Sequence, residues 1–303
     1  MDIKGSWVAI PTPFNDDNSI NYTVFEEIID FHVAHKTDGL LVLGSAGEAS
    51  MLTVREKQEV IEFTTDYARN EIPLLVGTTG PDTSTTIKMT EFARECNADG
   101  ALMVLPPYIK PPQRDILEFY QQVAGAVDIP IAVYNNPSRV GVNINADTLV
   151  KISRISGVVA IKEAVGDVSQ LIKVRKEMAD SVDVLTCDSP AYSIILPNLA
   201  IGGEGVTNIT GNLAPEEFAE LSREWEDFSD AVRSRKLVEK YFQLMQLCYS
   251  VTNPVVIKAG LNLLGFSVGS PRKPLKELDE EKLQNLKQTM EDLGLIEKYG
   301  RKK

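Results

Sequence analysis

Lys162 comes directly after an apolar run, Gly157–Ile161, at the point where a buried strand should end and meet solvent. About one strand-plus-helix unit earlier, Tyr134 and Arg139 follow a second apolar run, Pro130–Val133. An amine, a phenol and a guanidinium at neighbouring strand ends suit chemistry on a carbonyl compound in which the lysine forms an imine. The sequence therefore indicates a carbonyl enzyme that works through an imine.

Lys162 needs help from its surroundings to act as a nucleophile. A free lysine has a pKa of about 10.4, so very few of its amines are neutral near pH 7. A dry site would lower this pKa by penalising the charged form, and the neutral amine could then add to a ketone. The alternative is that Lys162 extends outward and pairs with Glu163 on the surface.

Tyr134 and Arg139 carry the other two functional groups. The phenol of Tyr134 can shuttle protons while the imine forms and water leaves; alternatively, it is an aromatic side chain of the fold with its hydroxyl in solvent. Arg139 follows a Pro-Ser turn and precedes Gly141, so it should project from a tight loop. Its guanidinium suits a carboxylate ligand, and a surface ion pair is the alternative.

The remaining polar strand ends give weaker signals. Gly44–Gly47 would place backbone N–H groups at the start of the following helical segment, where they could bind a small anion such as a carboxylate. Gly202–Gly205 resembles a phosphate-binding loop, but we interpret it as the tight turn into the last strand. Asp188 is interpreted as a polar wall of the site and Cys187 as a packing residue.

The histidines and cysteines argue against a metal site and a disulfide framework. The chain has two histidines, His32 and His35, which lie three residues apart on one predicted helix. No third histidine exists to complete a nitrogen-rich site, so a helix-surface or core role is expected for both. The three cysteines, Cys96, Cys187 and Cys248, are far apart and form no CxxC pair.

Eight short β-rich runs recur along the chain and alternate with stretches of helical periodicity, such as Val24–Ala34. The runs are Trp7–Ile10, Gly39–Leu43, Leu74–Gly77, Ala101–Leu105, Ile131–Val133, Val158–Ile161, Val182–Leu185 and Gly205–Asn208. Apolar strands alternating with helices are typical of parallel strands covered on both faces. Eight such units predict an α/β fold, the (β/α)₈ TIM barrel. A doubly wound sheet, the alternative, usually has fewer units and a GxGxxG fingerprint, which is missing here.

After about Asp227 the strand pattern stops and helical periodicity takes over. The helical stretches are Val232–Gln246, Pro254–Leu264 and Glu280–Leu293. We therefore predict a catalytic barrel domain over residues 1–227 and a C-terminal helical appendix over residues 228–303. The apolar cluster Leu244–Tyr249 predicts that one helix is buried against the barrel or another subunit.

The overall charge argues against several classes of partner. The net charge is −12, whereas nucleic acids and anionic membranes attract basic surfaces. The amino terminus lacks the pattern of a signal peptide, and no apolar run reaches membrane-span length. We expect a soluble cytoplasmic protein that acts on small molecules, with no nucleic-acid or membrane partner.

Taken together, these motifs resemble the dihydrodipicolinate synthase / N-acetylneuraminate lyase family of class I, pyruvate-dependent aldolases. The segments that carry the resemblance are Gly44–Glu48, Tyr134–Gly141, Val159–Ala164, Gly205–Asn212, Thr252–Lys258 and Ser270–Leu275. They span the barrel and the appendix, and the last two are most similar to the synthase branch. The resemblance implies a covalent lysine imine with pyruvate, no metal or organic cofactor, and a homotetramer built from two tight dimers.

The resemblance also implies roles for individual residues. Lys162 would condense with pyruvate, and Tyr134 would relay protons in that step. Ser45 would bridge Tyr134 to Tyr108, a tyrosine that in the family reaches into the neighbouring subunit's site. Arg139 would hold the carboxylate of the second substrate, which is aspartate semialdehyde in the synthase branch; the lyase branch generally lacks this arginine.

Ala46, Thr207 and Cys187 are expected to line the substrate site, and two of them depart from the family pattern. Ala46 replaces a hydroxyl residue and so removes one side-chain bond to the pyruvate carboxylate, although its backbone N–H remains. Cys187 stands where synthases usually have glycine, which would narrow the pocket. Pro107 replaces the first of a tyrosine pair that lysine-inhibited members use, so no feedback inhibition by lysine is expected.

Three functions remain open from the sequence. The first is a synthase that condenses pyruvate with aspartate semialdehyde in lysine and diaminopimelate biosynthesis. The second, motivated by Ala46 and Cys187, is an aldolase or dehydratase of a 2-keto-3-deoxy sugar acid or a hydroxy-keto acid. The third is a non-catalytic ligand sensor on the same scaffold, against which the intact Lys162, Tyr134, Tyr108 and Arg139 weigh.

Overall fold

Eight parallel strands close into a barrel in the computed structural model, which describes residues 1–188 and 192–301. The strands are β1 (Gly5–Ala9), β2 (Gly39–Val42), β3 (Leu74–Gly77), β4 (Gly100–Val104), β5 (Ile131–Asn135), β6 (Val158–Glu163), β7 (Asp183–Cys187) and β8 (Gly205–Asn208). Each strand pairs with its neighbour in sequence, and β8 pairs with β1 to close the barrel. The predicted (β/α)₈ barrel is thereby confirmed.

Nine helices accompany the strands in the part of the chain that the structure describes up to Ser222. They are α1 (Tyr22–Ala34), α2 (Val54–Tyr67), α3 (Thr83–Glu95), α4 (Gln113–Ala126), α5 (Pro137–Val140), α6 (Ala146–Ile152), α7 (Val168–Glu177), α8 (Ile195–Ala200) and α9 (Pro215–Leu221). Adjacent strand residues point to opposite faces, yet Leu40 and Leu41 are both fully buried. The strands are therefore apolar on both faces because one face fills the barrel and the other meets the helices.

The start of α2 shows how a local sequence signal sets an element boundary. The Thr53 hydroxyl accepts a hydrogen bond from the Glu56 N–H, and the Glu56 carboxylate accepts one from the Thr53 N–H. These two bonds form a capping box, for which a threonine followed three residues later by a glutamate is the sequence pattern. Gly44–Gly47 lie in the loop after β2, a short 3₁₀ helix follows over Ala49–Met51, and the capping box starts α2 at Val54.

Four further α-helices follow Asp227 in the part of the chain that the structure describes. They are α10 (Phe228–Cys248), α11 (Val255–Leu263), α12 (Glu280–Asp292) and α13 (Leu295–Tyr299). Leu244, Met245 and Cys248 of α10 are buried, and α10 packs against α8 and α9 of the barrel. The division into two domains at residue 227 stays a prediction. Among the described residues, no helix has the length and apolar character that crossing a membrane requires.

The carboxyl ends of the strands bring the candidate residues together. β5 and β6 continue beyond the apolar runs, so Tyr134 and Lys162 lie inside the strands and not after them. The extension is possible because the hydrogen bonds of a sheet join main-chain groups, whatever the side chain. In the parallel register of β5 and β6, Tyr134 is paired with Lys162. The phenol and the amine are therefore neighbours at the working face of the barrel.

Candidate active site

A cavity of about 320 Å³ opens at the carboxyl ends of the strands. Seven of its lining residues are candidates from the sequence: Ser45, Tyr134, Arg139, Lys162, Cys187, Asp188 and Thr207. A larger cavity, of about 1000 Å³, lies at the amino ends and is lined by charged residues such as Asp38 and Glu204. Because barrel enzymes react at the carboxyl ends of their strands, we assign the chemistry to the smaller cavity.

Lys162 is 7% exposed and lines the cavity. Burial lowers the pKa of its amine, and the Asp188 carboxylate is among the neighbouring groups that oppose this shift. The Nζ atom lies 4.2 Å from the centre of the Tyr134 ring. The outward pairing with Glu163 does not occur, since neighbouring side chains point to opposite faces of β6 and Glu163 is itself buried. The fold therefore favours the neutral, nucleophilic form of the amine.

Tyr134 is placed to act as a proton donor. Burial raises the pKa of its phenol well above the usual value, so the hydroxyl keeps its proton near neutral pH. The hydroxyl oxygen accepts a hydrogen bond of 2.6 Å from Nδ2 of Asn136. That bond leaves the phenolic proton available to a group bound beside Lys162.

Cys187 and Thr207 form the part of the wall contributed by β7 and β8. The two residues are paired in register, and the Cys187 Sγ atom lies 3.3 Å from the Thr207 Oγ1 atom. Burial raises the pKa of the Cys187 thiol, which therefore stays neutral. Cys187 accordingly occupies space in the cavity without adding charge to it.

Asp188 brings a carboxylate close to Lys162. It is 1% exposed and accepts hydrogen bonds from the N–H groups of Ile209 and Thr210. The hydroxyls of Thr210 and Tyr249 donate to it as well. Burial raises the pKa of Asp188, whereas these donors stabilise its ionised form. A negative charge here would favour a cation at Lys162, and an iminium is such a cation.

Ser45 and Ala46 lie on the loop that follows β2. Ser45 is exposed to the cavity, and its Oγ atom accepts a hydrogen bond of 3.4 Å from Nδ2 of Asn253. Ala46 is fully buried and packs with the apolar core. The Tyr134 hydroxyl is bonded to Asn136. Within the described part of this chain it forms no bond to Ser45, so the expected relay between the two stays a prediction.

Arg139 lies at the rim of the cavity on the short helix α5. Gly141 ends this helix with a φ of +77°, a left-handed conformation that suits glycine. Nine other arginines in the described part of the chain form ion pairs, whereas Arg139 forms none there. Its guanidinium is therefore free to meet a carboxylate that enters the cavity.

Tyr108 lies outside the cavity of its own chain. Its side chain is 94% exposed, and its φ of +79° is unusual for a bulky residue. Such a conformation costs roughly 1–3 kcal/mol, and strain of this kind is concentrated at functional sites. An exposed side chain outside its own cavity is what we expect if Tyr108 reaches into the active site of a neighbouring subunit. That role stays a prediction.

Glu163 is held on the outer face of β6 by a polar network. Its carboxylate accepts hydrogen bonds from the amides of Asn135 and Gln170 and from the Val165 N–H. Burial is the main influence on this carboxyl and raises its pKa from 4.5 to about 7, against the effect of these donors. The network anchors the strand that carries Lys162 without placing a charge in the cavity.

Glu163 should make stability depend on pH. Because its folded-state pKa lies above the unfolded value of 4.5, its contribution to stability is complete below pH 4.5 and is lost as the pH rises to about 7. In the Glu163→Gln protein the side chain at position 163 stays neutral at every pH, so this loss of stability does not occur. Relative to wild type the variant should gain about 3 kcal/mol between pH 4 and pH 8. Thermal melting across this range measures the gain, and melting curves that stay parallel for the two proteins would contradict it.

Three residues of the site escaped the sequence analysis. Asn136 stands between Tyr134 and Arg139, so its place in a polar cluster was a usable signal. Asn253 lies in the segment Thr252–Lys258, but nothing in the neighbouring sequence indicates that it reaches Ser45. Tyr249 follows the apolar end of α10, and only the fold reveals that its hydroxyl meets a buried carboxylate.

The two histidines have structural roles. His32 is fully buried, its Nδ1 atom lies 2.9 Å from the Thr37 hydroxyl, and burial lowers its pKa to about 3. His35 pairs with Glu216 at 2.8 Å. Within residues 1–188 and 192–301, no three His, Cys, Asp or Glu side chains are grouped so that they could hold a metal ion.

Comparisons with known proteins agree with this geometry. Residues 2–293 match the model of the dihydrodipicolinate synthetase family. The chain is 35% identical over 293 residues to the 4-hydroxy-tetrahydrodipicolinate synthase of Clostridium perfringens, with 97% of this chain and 99% of the relative covered. The enzyme of that name from Clostridium tetani is 37% identical, with 97% and 98% covered.

A solved structure gives the same answer. The crystal structure of dihydrodipicolinate synthase from Aquifex aeolicus superposes with a TM-score of 0.90 at 35% identity, covering 97% of this chain and 99% of that one. The family match spans both the barrel and the helices that follow it. The chain therefore belongs to the dihydrodipicolinate synthetase family.

Proposed function

We propose that the protein is a 4-hydroxy-tetrahydrodipicolinate synthase, a class I aldolase-type lyase that condenses pyruvate with L-aspartate semialdehyde in lysine biosynthesis. The observation that carries the proposal is that Lys162 is buried, with a lowered amine pKa, and is paired in register with Tyr134 on the neighbouring strand. The names of the curated relatives support the same activity.

The first half of the reaction is imine formation. The neutral Lys162 amine adds to C2 of pyruvate and gives a carbinolamine. The Tyr134 phenol donates its proton to the carbinolamine hydroxyl, which leaves as water, and the nitrogen lone pair forms the C=N bond of the iminium. The buried Asp188 carboxylate favours this cation over the neutral amine.

The second half forms the carbon–carbon bond. The Tyr134 phenolate takes a proton from C3 of the iminium and gives an enamine, whose carbon attacks the aldehyde carbon while Tyr134 returns that proton to the aldehyde oxygen. The second substrate's amino group then attacks the iminium carbon of the adduct, which closes the ring as a cyclic iminium and frees the Lys162 amine. Ser45 and a Tyr108 from a neighbouring subunit would relay protons to and from Tyr134. Arg139 would hold the second substrate's carboxylate at the rim of the cavity. The oxo-acid site would be completed by the backbone N–H of Ala46 and by the side chains of Thr207 and Cys187.

The assembly and surroundings of the protein follow from the same proposal. Family members act on small molecules as oligomers, and we place this chain in a homotetramer, a dimer of dimers, in which Tyr108 crosses an interface. A covalent lysine imine makes a metal or organic cofactor unnecessary. The biosynthetic role places the protein in the cytoplasm, without nucleic-acid or membrane partners.

Two measurements test the proposal. Borohydride reduction with pyruvate should add the mass of a reduced pyruvate imine to Lys162; a ligand sensor without imine chemistry gains no mass. Turnover should then be compared between aspartate semialdehyde with pyruvate and a panel of 2-keto-3-deoxy sugar acids. Robust cleavage of a panel member without semialdehyde turnover would replace the synthase with the sugar-acid aldolase that Ala46 and Cys187 allow.

Lysine should not inhibit the enzyme. The residues that stand where lysine-inhibited members bind the amino acid are Ser50, Val54, Lys57, Pro81, Thr85 and Pro107. They offer no carboxylate for the lysine ammonium, and Lys57 would repel it. Activity in a coupled assay should therefore be unchanged at millimolar lysine, and inhibition in that range would refute this expectation.

A further inference from the structure

A buried ion pair joins helix α11 to the loop that carries Ser45. Lys258 Nζ lies 2.6 Å from Glu48 Oε1, and both side chains are 1% exposed. Among the ion pairs of the described residues, 1–188 and 192–301, it alone has both partners almost fully buried. A buried pair is weak evidence for stability, because desolvation of two charges offsets their attraction. Stability alone therefore does not account for this ion pair.

The loop itself is held in an unusual conformation. Its two ends, Leu43 and Glu48, have φ values of +57° and +53°, in the left-handed region that non-glycine residues rarely occupy. Between them, the Thr12 hydroxyl donates a 2.7 Å hydrogen bond to the Gly47 carbonyl. Residues in such conformations persist only where the surroundings hold them. The position of Ser45 therefore depends on what fixes Glu48.

The Glu48 carboxylate is fixed from the C-terminal helices. One oxygen meets Lys258, and the other accepts a 2.8 Å hydrogen bond from the Arg272 N–H. The Lys258 amine also donates to the Ser270 carbonyl at 3.2 Å and lies 4.0 Å from the centre of the Phe14 ring. Burial lowers the pKa of Lys258 to about 8, so the amine is charged at pH 7.

The same end of α11 reaches the active site directly. Asn253, which comes just before α11, lines the cavity and donates to the Ser45 hydroxyl at 3.4 Å. Ser45 is thus held from two sides, through its own side chain and through the carboxylate that ends its loop.

We propose that Lys258 is a positioning residue of the oxo-acid site, which acts through Glu48 to hold the Gly44–Glu48 loop where the Ala46 backbone meets the pyruvate carboxylate and Ser45 reaches the proton relay. The inference rests on the proposed function and adds to it a residue that touches no substrate. Without the ammonium, the Glu48 carboxylate keeps the Arg272 N–H but loses its charged partner, and the loop moves. Small displacements of binding groups weaken capture by one to two orders of magnitude.

The test is the pyruvate concentration that gives half-maximal borohydride trapping at pH 7. In the Lys258→Met protein this concentration should rise about tenfold or more, while trapping at saturating pyruvate still reaches completion. Lys258→Arg keeps the positive charge, so its pyruvate concentration for half-maximal trapping should lie close to the wild-type value. Lys287→Met, a change at an exposed lysine of α12, is the matched control and should leave it unchanged.

If Lys258 had only a structural role, Lys258→Met would lower the melting temperature but leave the pyruvate concentration for half-maximal trapping at the wild-type value. That result would overturn the proposal. If Lys258→Met does not fold, Glu48→Gln decides the question. It keeps the side-chain shape and an oxygen for the Arg272 N–H, and it should show the same rise; an unchanged value overturns the proposal. A wild-type protein that traps no pyruvate would instead remove the proposed function.

Discussion

Replacing Lys162 with alanine should abolish pyruvate trapping and reduce turnover on the order of 10⁴-fold or more, because the variant has no amine with which to form the imine. The effect is expected to be this large because no other lysine lines the cavity in the described part of the chain. Mass measurement after borohydride reduction tests the first expectation, and a steady-state assay tests the second.

The Lys162→Ala protein should nevertheless remain folded. The Lys162 amine is desolvated and its pKa is lowered, so the charged form is unfavourable in the folded state. Removing the amine relieves that cost, and the melting temperature should not fall by more than the lost packing explains. Lys176→Ala, at an exposed lysine in the last turn of α7, is the matched control. If Lys162→Ala still traps pyruvate, the imine forms elsewhere and the assignment of the site is wrong.

The barrel could be predicted because its signal is repeated. Each unit supplies an apolar run long enough for a strand and a following amphipathic stretch, and the eight predicted runs correspond to the eight strands. Local caps such as the Thr53 capping box mark helix starts in the sequence itself. An error in one predicted strand or helix end does not affect the next strand, because each strand-plus-helix unit has its own apolar run and amphipathic stretch.

Strand ends at the active site were harder to predict. Apolar character stops before Tyr134 and Lys162, but the hydrogen-bonded ladder continues through both residues. A sequence pattern reports side chains, whereas pairing depends on the backbone, so functional polar residues at strand ends make the strands look shorter than they are.

Long-range contacts of the site could not be read from the sequence at all. Tyr249 meets Asp188 and Asn253 meets Ser45 across the barrel mouth, and nothing at positions 249 or 253 indicates these partners. Both residues follow α10, so the helices after the barrel help to build the site. This explains why a resemblance that included the segment from Thr252 to Lys258 was more informative than the barrel pattern alone.

Replacing Arg139 with alanine should separate the two substrates. The guanidinium lies at the rim and not beside the amine, so half-maximal trapping of pyruvate should change little. The kcat/KM for aspartate semialdehyde should fall roughly a hundredfold or more, because charge-assisted bonds to its carboxylate are lost. Trapping with pyruvate alone and steady-state kinetics with both substrates measure the two steps on the same protein.

Two further variants sharpen this prediction. Arg139→Lys keeps the charge but loses the planar fork, so it should fall between alanine and wild type in kcat/KM for the semialdehyde. Arg69→Ala, at an exposed arginine that is not among the residues lining the cavity, is the control and should match wild type in both steps. Equal losses in trapping and in semialdehyde turnover for Arg139→Ala would assign the guanidinium to the oxo acid. The second carboxylate would then need another cation, and the preference for the semialdehyde over a neutral sugar-derived aldehyde would lose its main structural support.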